Sequence, residues 1–172
     1  CNDNVSIESS HNVTVNSSGN VSKNLTVASG GTLTVSSGDL TVGCTLNNTP
    51  LTNNGTLTVS GGTLNVNGNL SCSSSSVFNQ SGGDINIDGN NGGSATGSVA
   101  SGTPLLNLLQ FNSGINWIGG NLTIIDPHTA NTAANGRALV FNNATLANTT
   151  NFPTIGHTFR LGNGISSDAG GH

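Results

Sequence analysis

Residues 55–66 read Gly-Thr-Leu-Thr-Val-Ser-Gly-Gly-Thr-Leu-Asn-Val, two short alternating apolar segments joined by a Ser-Gly-Gly-Thr corner. Because side chains in a strand alternate between its two faces, the odd separation of Leu57 and Leu64 would put them on opposite faces of a straight strand. A glycine corner removes this conflict, since glycine tolerates the positive φ that a sharp bend requires. The stretch therefore predicts two strands that turn a corner and keep both leucines on the inner side.

The same pattern recurs along the chain, in copies that begin at positions 13, 33, 57, 78 and 115. The first three gaps are 20, 24 and 21 residues, and a period of that size is typical of a solenoid whose coils stack on one another. The first copy is the loosest, with Val21 in the place of the second apolar segment. Stacking predicts that Leu33, Leu57 and Phe78 lie in register in parallel strands about 4.8 Å apart.

A third apolar segment follows the corner pattern in successive copies, and we place it at Leu25, Leu46 and Leu70. Two strands, a corner and a third side make one triangular coil. The sequence therefore predicts an all-β fold, a parallel β-helix with about 20–24 residues per coil and roughly seven coils. An array of β-hairpins is the alternative, but it calls for two-residue Asn-Gly or Asp-Gly turns where this chain has Ser-Gly-Gly corners.

The domain organisation that we expect is a single solenoid over residues 1–172. Residues 5–7 form a capping strand, and residues 13–88 form the regular coils. Residues 89–104 are rich in glycine, serine, asparagine and alanine, which predicts a loop or widened coil and accounts for the final gap of 37 residues. Less regular coils follow over residues 105–165.

Composition excludes several classes of partner. Only 6% of residues are charged, the net charge is −4, and the certain cations are Lys23, Arg137 and Arg160. Nucleic-acid binding depends on clustered lysine and arginine, so we expect none, and an anionic membrane surface would not attract this chain. No apolar run approaches the ~20 residues of a membrane-spanning helix, so we expect no membrane span.

The three cysteines carry two predictions. Cys44 and Cys72 fall on the third side of adjacent coils, which favours a disulfide between neighbouring coils in an oxidising, extracellular setting; two buried thiols are the alternative. The chain opens at Cys1 without an initiator methionine, which we interpret as a mature or excised chain. Cys1 is then either a lipidated N-terminus or a plain thiol.

Titratable residues offer two weak catalytic or metal-binding candidates. Asp84 and Asp88 are four residues apart, which places them on one face of a straight strand, yet two carboxylates are few for the six to eight oxygens of a Ca²⁺ site. Asp126, His128 and His157 could form an acid–base group, but they lie in separate segments. In both cases solvated corner or loop residues are the simpler interpretation, so we expect no catalytic residues, no metal and no cofactor.

Outward threonines suggest one further function. Thr32 and Thr34 would stack beneath Thr56 and Thr58, giving a small flat array of hydroxyl groups of the kind that ice-binding solenoids display. Residues 77–79 of the next coil are Val-Phe-Asn, so the array should end there.

Residues 55–70, Gly-Thr-Leu-Thr-Val-Ser-Gly-Gly-Thr-Leu-Asn-Val-Asn-Gly-Asn-Leu, resemble the glycine-, asparagine- and threonine-rich repeats of bacterial secreted surface proteins. These are adhesin-like and autotransporter-like parallel β-helices, including those of the Bacteroidota, and the resemblance covers residues 13–124. It implies a right-handed parallel β-helix. In function it implies a non-catalytic structural or adhesive module at the bacterial cell surface, with a host or environmental glycan or surface as partner. A polysaccharide-binding or polysaccharide-cleaving protein and an ice-binding solenoid remain alternatives.

Coil ends are the remaining candidate contact. A β-helix ends in unpaired strand edges, which a natural chain must cap or pair, and the sequence has no clear capping helix. We therefore expect self-association through coil ends as one route to a surface fibre.

Overall fold

The computed structural model describes residues 3–43, 51–88, 106–108, 115–125, 139–141 and 158–161. Every regular element in these ranges is a strand, and none of the described residues belongs to a helix that could cross a membrane. The strands are β1 Asn4–Ile7, β2 Asn12–Val15, β3 Asn20–Ser22, β4 Asn24–Val27, β5 Thr32–Val35, β6 Asp39–Val42, β7 Leu51–Asn53, β8 Thr56–Val59, β9 Thr63–Asn67, β10 Leu70–Cys72, β11 Val77–Asp88, β12 Leu106–Leu108, β13 Ile115–Ile125, β14 Leu139–Phe141 and β15 Thr158–Leu161.

The strands stack in three parallel rows, which we call the first, second and third faces. The first face has the order β1-β4-β7-β10-β12-β14. The second face contains β2, β5 and β8, and the third contains β3, β6 and β9; β11 runs through the corner and belongs to both. Beyond it, β13 pairs with β11, and β15 pairs with β13. The predicted parallel β-solenoid is confirmed.

The register on the second face agrees with the repeat read from the sequence. Each copy of the pattern places its first apolar residue directly beside that of the next copy, in the column Val13, Leu33, Leu57, Phe78 and Ile115. The second apolar residues follow on the third face, where Leu64 pairs with Ile85. The predicted stack of coils is therefore confirmed residue by residue over this column.

The first face corrects one prediction. Leu51, and not Leu46, stands between Leu25 and Leu70 in the stack, because β7 pairs with both β4 and β10. Leu46 lies outside the described residues. A strand at residues 5–7 is confirmed as β1, in which Val5 pairs with Leu25. This strand belongs to the first face and leaves Val5 40% exposed, so the predicted capping role is not seen.

Burial follows the strand alternation and defines a core along the solenoid axis. In β5, β8 and β9 the apolar residues are buried and the residues between them are half-buried. Leu57, Leu64 and Leu70 have no exposed surface. They lie on the second, third and first faces of the solenoid, respectively. All three faces therefore contribute to one apolar core, which is the main stabilising term in such a fold.

The glycine corners are stacked as closely as the strands. Gly62, Gly83 and Gly120 all have positive φ, and the Asp84 amide donates to the Gly62 carbonyl at 2.9 Å. A Cβ atom on Gly83 would lie 2.5 Å from the Gly62 carbonyl oxygen, closer than any real contact. The corner thus requires glycine for two reasons: the backbone has positive φ, and the neighbouring coil lies too close for a Cβ atom.

The strands from β1 to β11 make four successive coils between Asn4 and Asp88. The expected loop or widened coil at residues 89–104 lies outside the described residues. After it the chain is again on the first face, since Leu106 is in register with Leu70. The handedness, the total number of coils and the single-domain boundaries stay predictions.

Candidate interaction surfaces

The first coil leaves one end of the solenoid open. Val5 is 40% exposed and Val13 is 42% exposed, whereas Leu25 and Leu33, their partners in the second coil, are 3% and 1% exposed. Inward side chains of both coils line a concave space of about 210 Å³ that opens to solvent at this end: Val5, Ile7, Val13, Val15, Leu25, Leu33 and Leu40. The end is thus a section through the core that no described residue covers.

The third face of the first coil is polar on its inner side. Asn20 and Ser22 pair with Leu40 and Val42, so they hold positions that are apolar in the next coil. Val21 pairs with the outward residue Thr41 and is 58% exposed. The expectation that Val21 continues the inner apolar pattern is therefore wrong, because the strand is shifted by one residue relative to the corner.

Asn20 also completes the backbone hydrogen bonding of this corner. Its Nδ2 atom donates to the Ser17 carbonyl at 2.5 Å and to the Asp39 carbonyl at 3.1 Å. The Gly19 amide donates to Asp39 Oδ2 at 2.8 Å. Hydrogen bonds from the Ser18 side chain and the Gly19 amide lower the pKa of the Asp39 carboxyl below its usual value.

Threonines on the second face form the expected hydroxyl array. Thr32 pairs with Thr56, and Thr34 pairs with Thr58; Thr14 extends the second column by one coil. The array ends where predicted, since Asn79 follows Thr58 in the stack and its Nδ2 atom donates to the Thr58 hydroxyl at 3.3 Å.

Outward amides on the other faces pair between coils. Asn24 Nδ2 donates to Asn4 Oδ1 at 2.8 Å on the first face. On the third face Asn86 Nδ2 donates to Asn65 Oδ1 at 3.0 Å, and Asn121 Nδ2 donates to Asp84 Oδ1 at 2.8 Å. Contacts of this kind satisfy polar groups along the solenoid axis in the same way as asparagine ladders.

The candidate catalytic residues are not brought together within the described part of the chain. Asp84 and Asp88 both lie on β11, as expected, and the Asp84 carboxylate accepts from Asn121; the Asp88 side chain is outside the described set. Asp126, His128 and His157 are outside it as well. Among the described residues there is no group of three or more metal-ligating side chains.

The cysteine predictions remain open. Cys72 is fully buried on the first face, and its sulfur accepts from Asn53 Nδ2 at 3.7 Å. Cys44 and Cys1 lie outside the described residues. The disulfide between Cys44 and Cys72 and the lipidation of Cys1 therefore stay predictions.

Two amide side chains without exposed surface, those of Asn53 and Gln80, were not anticipated from the sequence. Asn53 occupies an inward position between Val27 and Cys72, where its Oδ1 atom accepts from the Gly55 amide at 3.1 Å and its Nδ2 atom donates to the Val77 carbonyl at 2.9 Å. Gln80 is equally buried and donates to the Asn121 carbonyl at 2.8 Å. The only sequence signal for either residue was an amide at a position that the repeat reserves for an apolar side chain.

No protein family, curated protein or solved structure matches this chain in comparisons with known proteins.

Proposed function

We propose that this chain is a non-catalytic structural or adhesive module of an extracellular surface protein, a rigid solenoid that holds its contacts at fixed distances. The observation that supports this role is the continuous side-chain stack through successive coils. Each inward apolar residue lies against its equivalent in the next coil, from Val13 through Leu33 and Leu57 to Phe78. A stack in which every coil is fixed by its neighbours suits a spacer better than a hinge.

The outward surface supports the same role. Its asparagines are engaged between coils, as in the pairs Asn24 with Asn4 and Asn86 with Asn65. These bonds stiffen the surface along the axis and employ side chains that would otherwise be free to bind a ligand. The lateral faces therefore act mainly as structure, and contacts with a glycan or another surface involve the exposed groups between these pairs.

The location can be tested on intact source cells with an antibody raised against the folded chain. We expect labelling of unbroken cells and loss of the signal after brief protease treatment of the cell surface. Labelling that appears only after lysis would contradict the extracellular assignment. Turnover of any member of an acidic and neutral polysaccharide panel by the purified chain would contradict the non-catalytic assignment.

The spacer role can be tested by removing one coil. Deletion of residues 32–55 joins Gly31 to Thr56, which occupies the register position of Thr32. We expect the shortened chain to remain a cooperatively unfolding β-protein, shorter along its axis by about 4.8 Å. Deletion of residues 32–43 is the matched control, because it removes part of a coil and destroys the register. Equal unfolding of both variants would contradict the modular stack.

Ice binding is the second candidate, favoured by the in-register columns of hydroxyl groups on the second face. Thr14, Thr34 and Thr58 lie in one column and Thr32 and Thr56 in the other. The hydroxyl rows are about 4.8 Å apart between coils and about 6.7 Å apart along a strand. In an ice recrystallisation assay, Thr34→Lys should abolish the inhibition of ice growth. Thr41→Lys, which places the same charge on the third face, should leave that inhibition unchanged. No inhibition by the wild-type chain would remove this candidate.

A further inference from the structure

We infer that the open first coil is a docking site for a second copy of this chain, whose opposite end, the one that carries β14 and β15, stacks on it head to tail. This inference deepens the proposed structural role and rests on it. The exposed core section at this end, with Val5 and Val13 about 40% exposed, is the same kind of surface that each interior coil presents to its neighbour. A partner that covers it must therefore supply inward apolar side chains around a triangular coil.

The strand edges at this end impose a stricter requirement. β1 is the terminal strand of the first face, and β2 and β3 are the terminal strands of the second and third faces. An unpaired edge of this kind is a template for another strand. Because every pairing in the described solenoid is parallel, the matching strands must run in the same direction as β1, β2 and β3.

At the other end of the described solenoid, strands continue the parallel stack on the first and third faces. Among the described strands, β14 is the last of the first face, and β15 lies beyond β13 on the third face. By register, Leu139 and Phe141 occupy the positions of Leu106 and Leu108, so the apolar pattern of the first face continues to that end. A second copy would thus continue the coil-to-coil contact that the chain already makes within itself.

The size of that contact is sufficient for a specific complex. The first and second coils are joined by four residue pairs on the first face, four on the second and three on the third. This corresponds to the ~10 direct hydrogen bonds of a typical protein–protein interface, with the apolar core section enclosed. Since the two end surfaces differ, the interface is heterologous and generates an open fibre.

Polar groups explain how the same end tolerates solvent in the free chain. Asn20 takes the inward position that Leu40 takes in the second coil, and its amide bonds to backbone carbonyls of Ser17 and Asp39. One of the three sides of the end therefore carries polar side chains at inward positions. We expect Asn20→Leu to strengthen the association.

Two adjacent residues of β2 provide a matched test of the interface. Val13 lies on the inner side of the open coil and Thr14 on its outer side, and both are exposed. In sedimentation velocity over a dilution series of the full chain, we expect wild type and Thr14→Lys to grow in mass with concentration. Val13→Lys should raise the concentration for half-association by about tenfold or more, the ratio that corresponds to 1.4 kcal/mol. Val5→Lys is the second variant, from a different face.

The direction of stacking is tested by mixing. Val13→Lys keeps an intact opposite end, so in a head-to-tail fibre it adds to the first coil of a wild-type chain and then stops growth. A small fraction of the variant should shorten wild-type fibres, whereas a head-to-head dimer would not respond in this way. Circular dichroism and thermal unfolding of the three lysine variants establish that they are folded.

Three results would overturn the inference: a wild-type chain that stays monomeric at every concentration, equal association of Val13→Lys and wild type, or no shortening in the mixture. The first result would assign the open end to a different occupant, such as another domain of a longer protein. None of these results affects the labelling of intact cells or the one-coil deletion, so failure of the docking site is distinguishable from failure of the structural role.

Discussion

The first and third coils follow the same sequence pattern but differ in the burial of their apolar side chains. Val13 in β2 and Leu57 in β8 stand in the same column, yet Val13 is 42% exposed and Leu57 has no exposed surface. The third coil has neighbours on both sides, and the first has a described neighbour on one side alone. The burial of a side chain in a solenoid therefore depends on the neighbouring coils as much as on the residue itself.

Corners differ between the two coils in the same way. Gly62, in the third coil, is crowded by the Gly38 carbonyl, whereas Gly19, in the first coil, would have open space around an added Cβ atom. Both residues have positive φ. The interior corner is therefore constrained by conformation and by packing, and the end corner by conformation alone.

Truncation of a core side chain should distinguish the two coils most strongly. Leu57→Ala should lower the free energy of unfolding by about 4 kcal/mol, because it leaves a cavity between packed coils. Val13→Ala should cost no more than about 0.5 kcal/mol in dilute solution, as for a surface substitution. Denaturant unfolding at low protein concentration measures both. Equal costs would mean that the first coil is as well covered as the third.

The glycine corners provide the next comparison. Gly83→Ala should cost about 3 kcal/mol, since it adds left-handed strain and an overlap with the Gly62 carbonyl. Gly19→Ala should cost about 1 kcal/mol from strain alone. Thermal unfolding of the two variants is the measurement. A Gly19→Ala variant as unstable as Gly83→Ala would show that carbonyl crowding does not determine the interior corners.

Buried and exposed amides should differ by a smaller amount. Asn53→Ala should cost about 2 kcal/mol, because the Gly55 amide and the Val77 carbonyl lose a buried partner. Asn24→Ala removes an exposed pair with Asn4 and should cost less than about 1 kcal/mol. Chemical denaturation measures the free energy of unfolding of both variants. A larger loss for Asn24→Ala than for Asn53→Ala would contradict the role of Asn53 as the hydrogen-bond partner of the Gly55 amide and the Val77 carbonyl.

The smallest effect concerns pH at the junction of the first two coils. The lowered pKa of Asp39, due to the Ser18 and Gly19 hydrogen bonds, means that the folded chain binds this proton less readily than the unfolded chain. The resulting stability is present above the unfolded pKa of about 3.9 and is lost as pH falls through the folded pKa. Asp39→Asn should flatten this acid-side loss. An unchanged profile of unfolding midpoint against pH would exclude the contribution.

The repeat predicted the column from Val13 to Ile115 and its glycine corners because both obey simple geometry, namely strand alternation and positive φ. The repeat gave wrong predictions where strand geometry allows more than one register. Leu46 and Leu51 are equally plausible as single leucines after a corner. The longer gap of 24 residues between Leu33 and Leu57 nevertheless leaves the two leucines in register. One extra residue, Ile118, is likewise accommodated by a register shift in β13 and becomes 62% exposed.

The site was less accessible from the sequence than the fold. Asn53 and Gln80 replace apolar side chains at inward positions, and an apolar periodicity contains no information about which amide finds partners inside. Unpaired coil ends were expected from the fold class. The sequence did not show which residues form the open end. Asn20 takes the inward position in place of Val21 because the strand is shifted by one residue, and only the three-dimensional register reveals that shift.

Residue-resolved amide hydrogen exchange at two protein concentrations tests the difference between the first and the interior coils most directly. In dilute solution, amides of β5 and β8 should exchange only with global unfolding, and those of β1, β2 and β3 should exchange faster by local opening. At high concentration, protection of β1, β2 and β3 should rise in wild type and not in Val13→Lys. Equal, concentration-independent protection of the first and third coils would contradict an open end that docks a second copy.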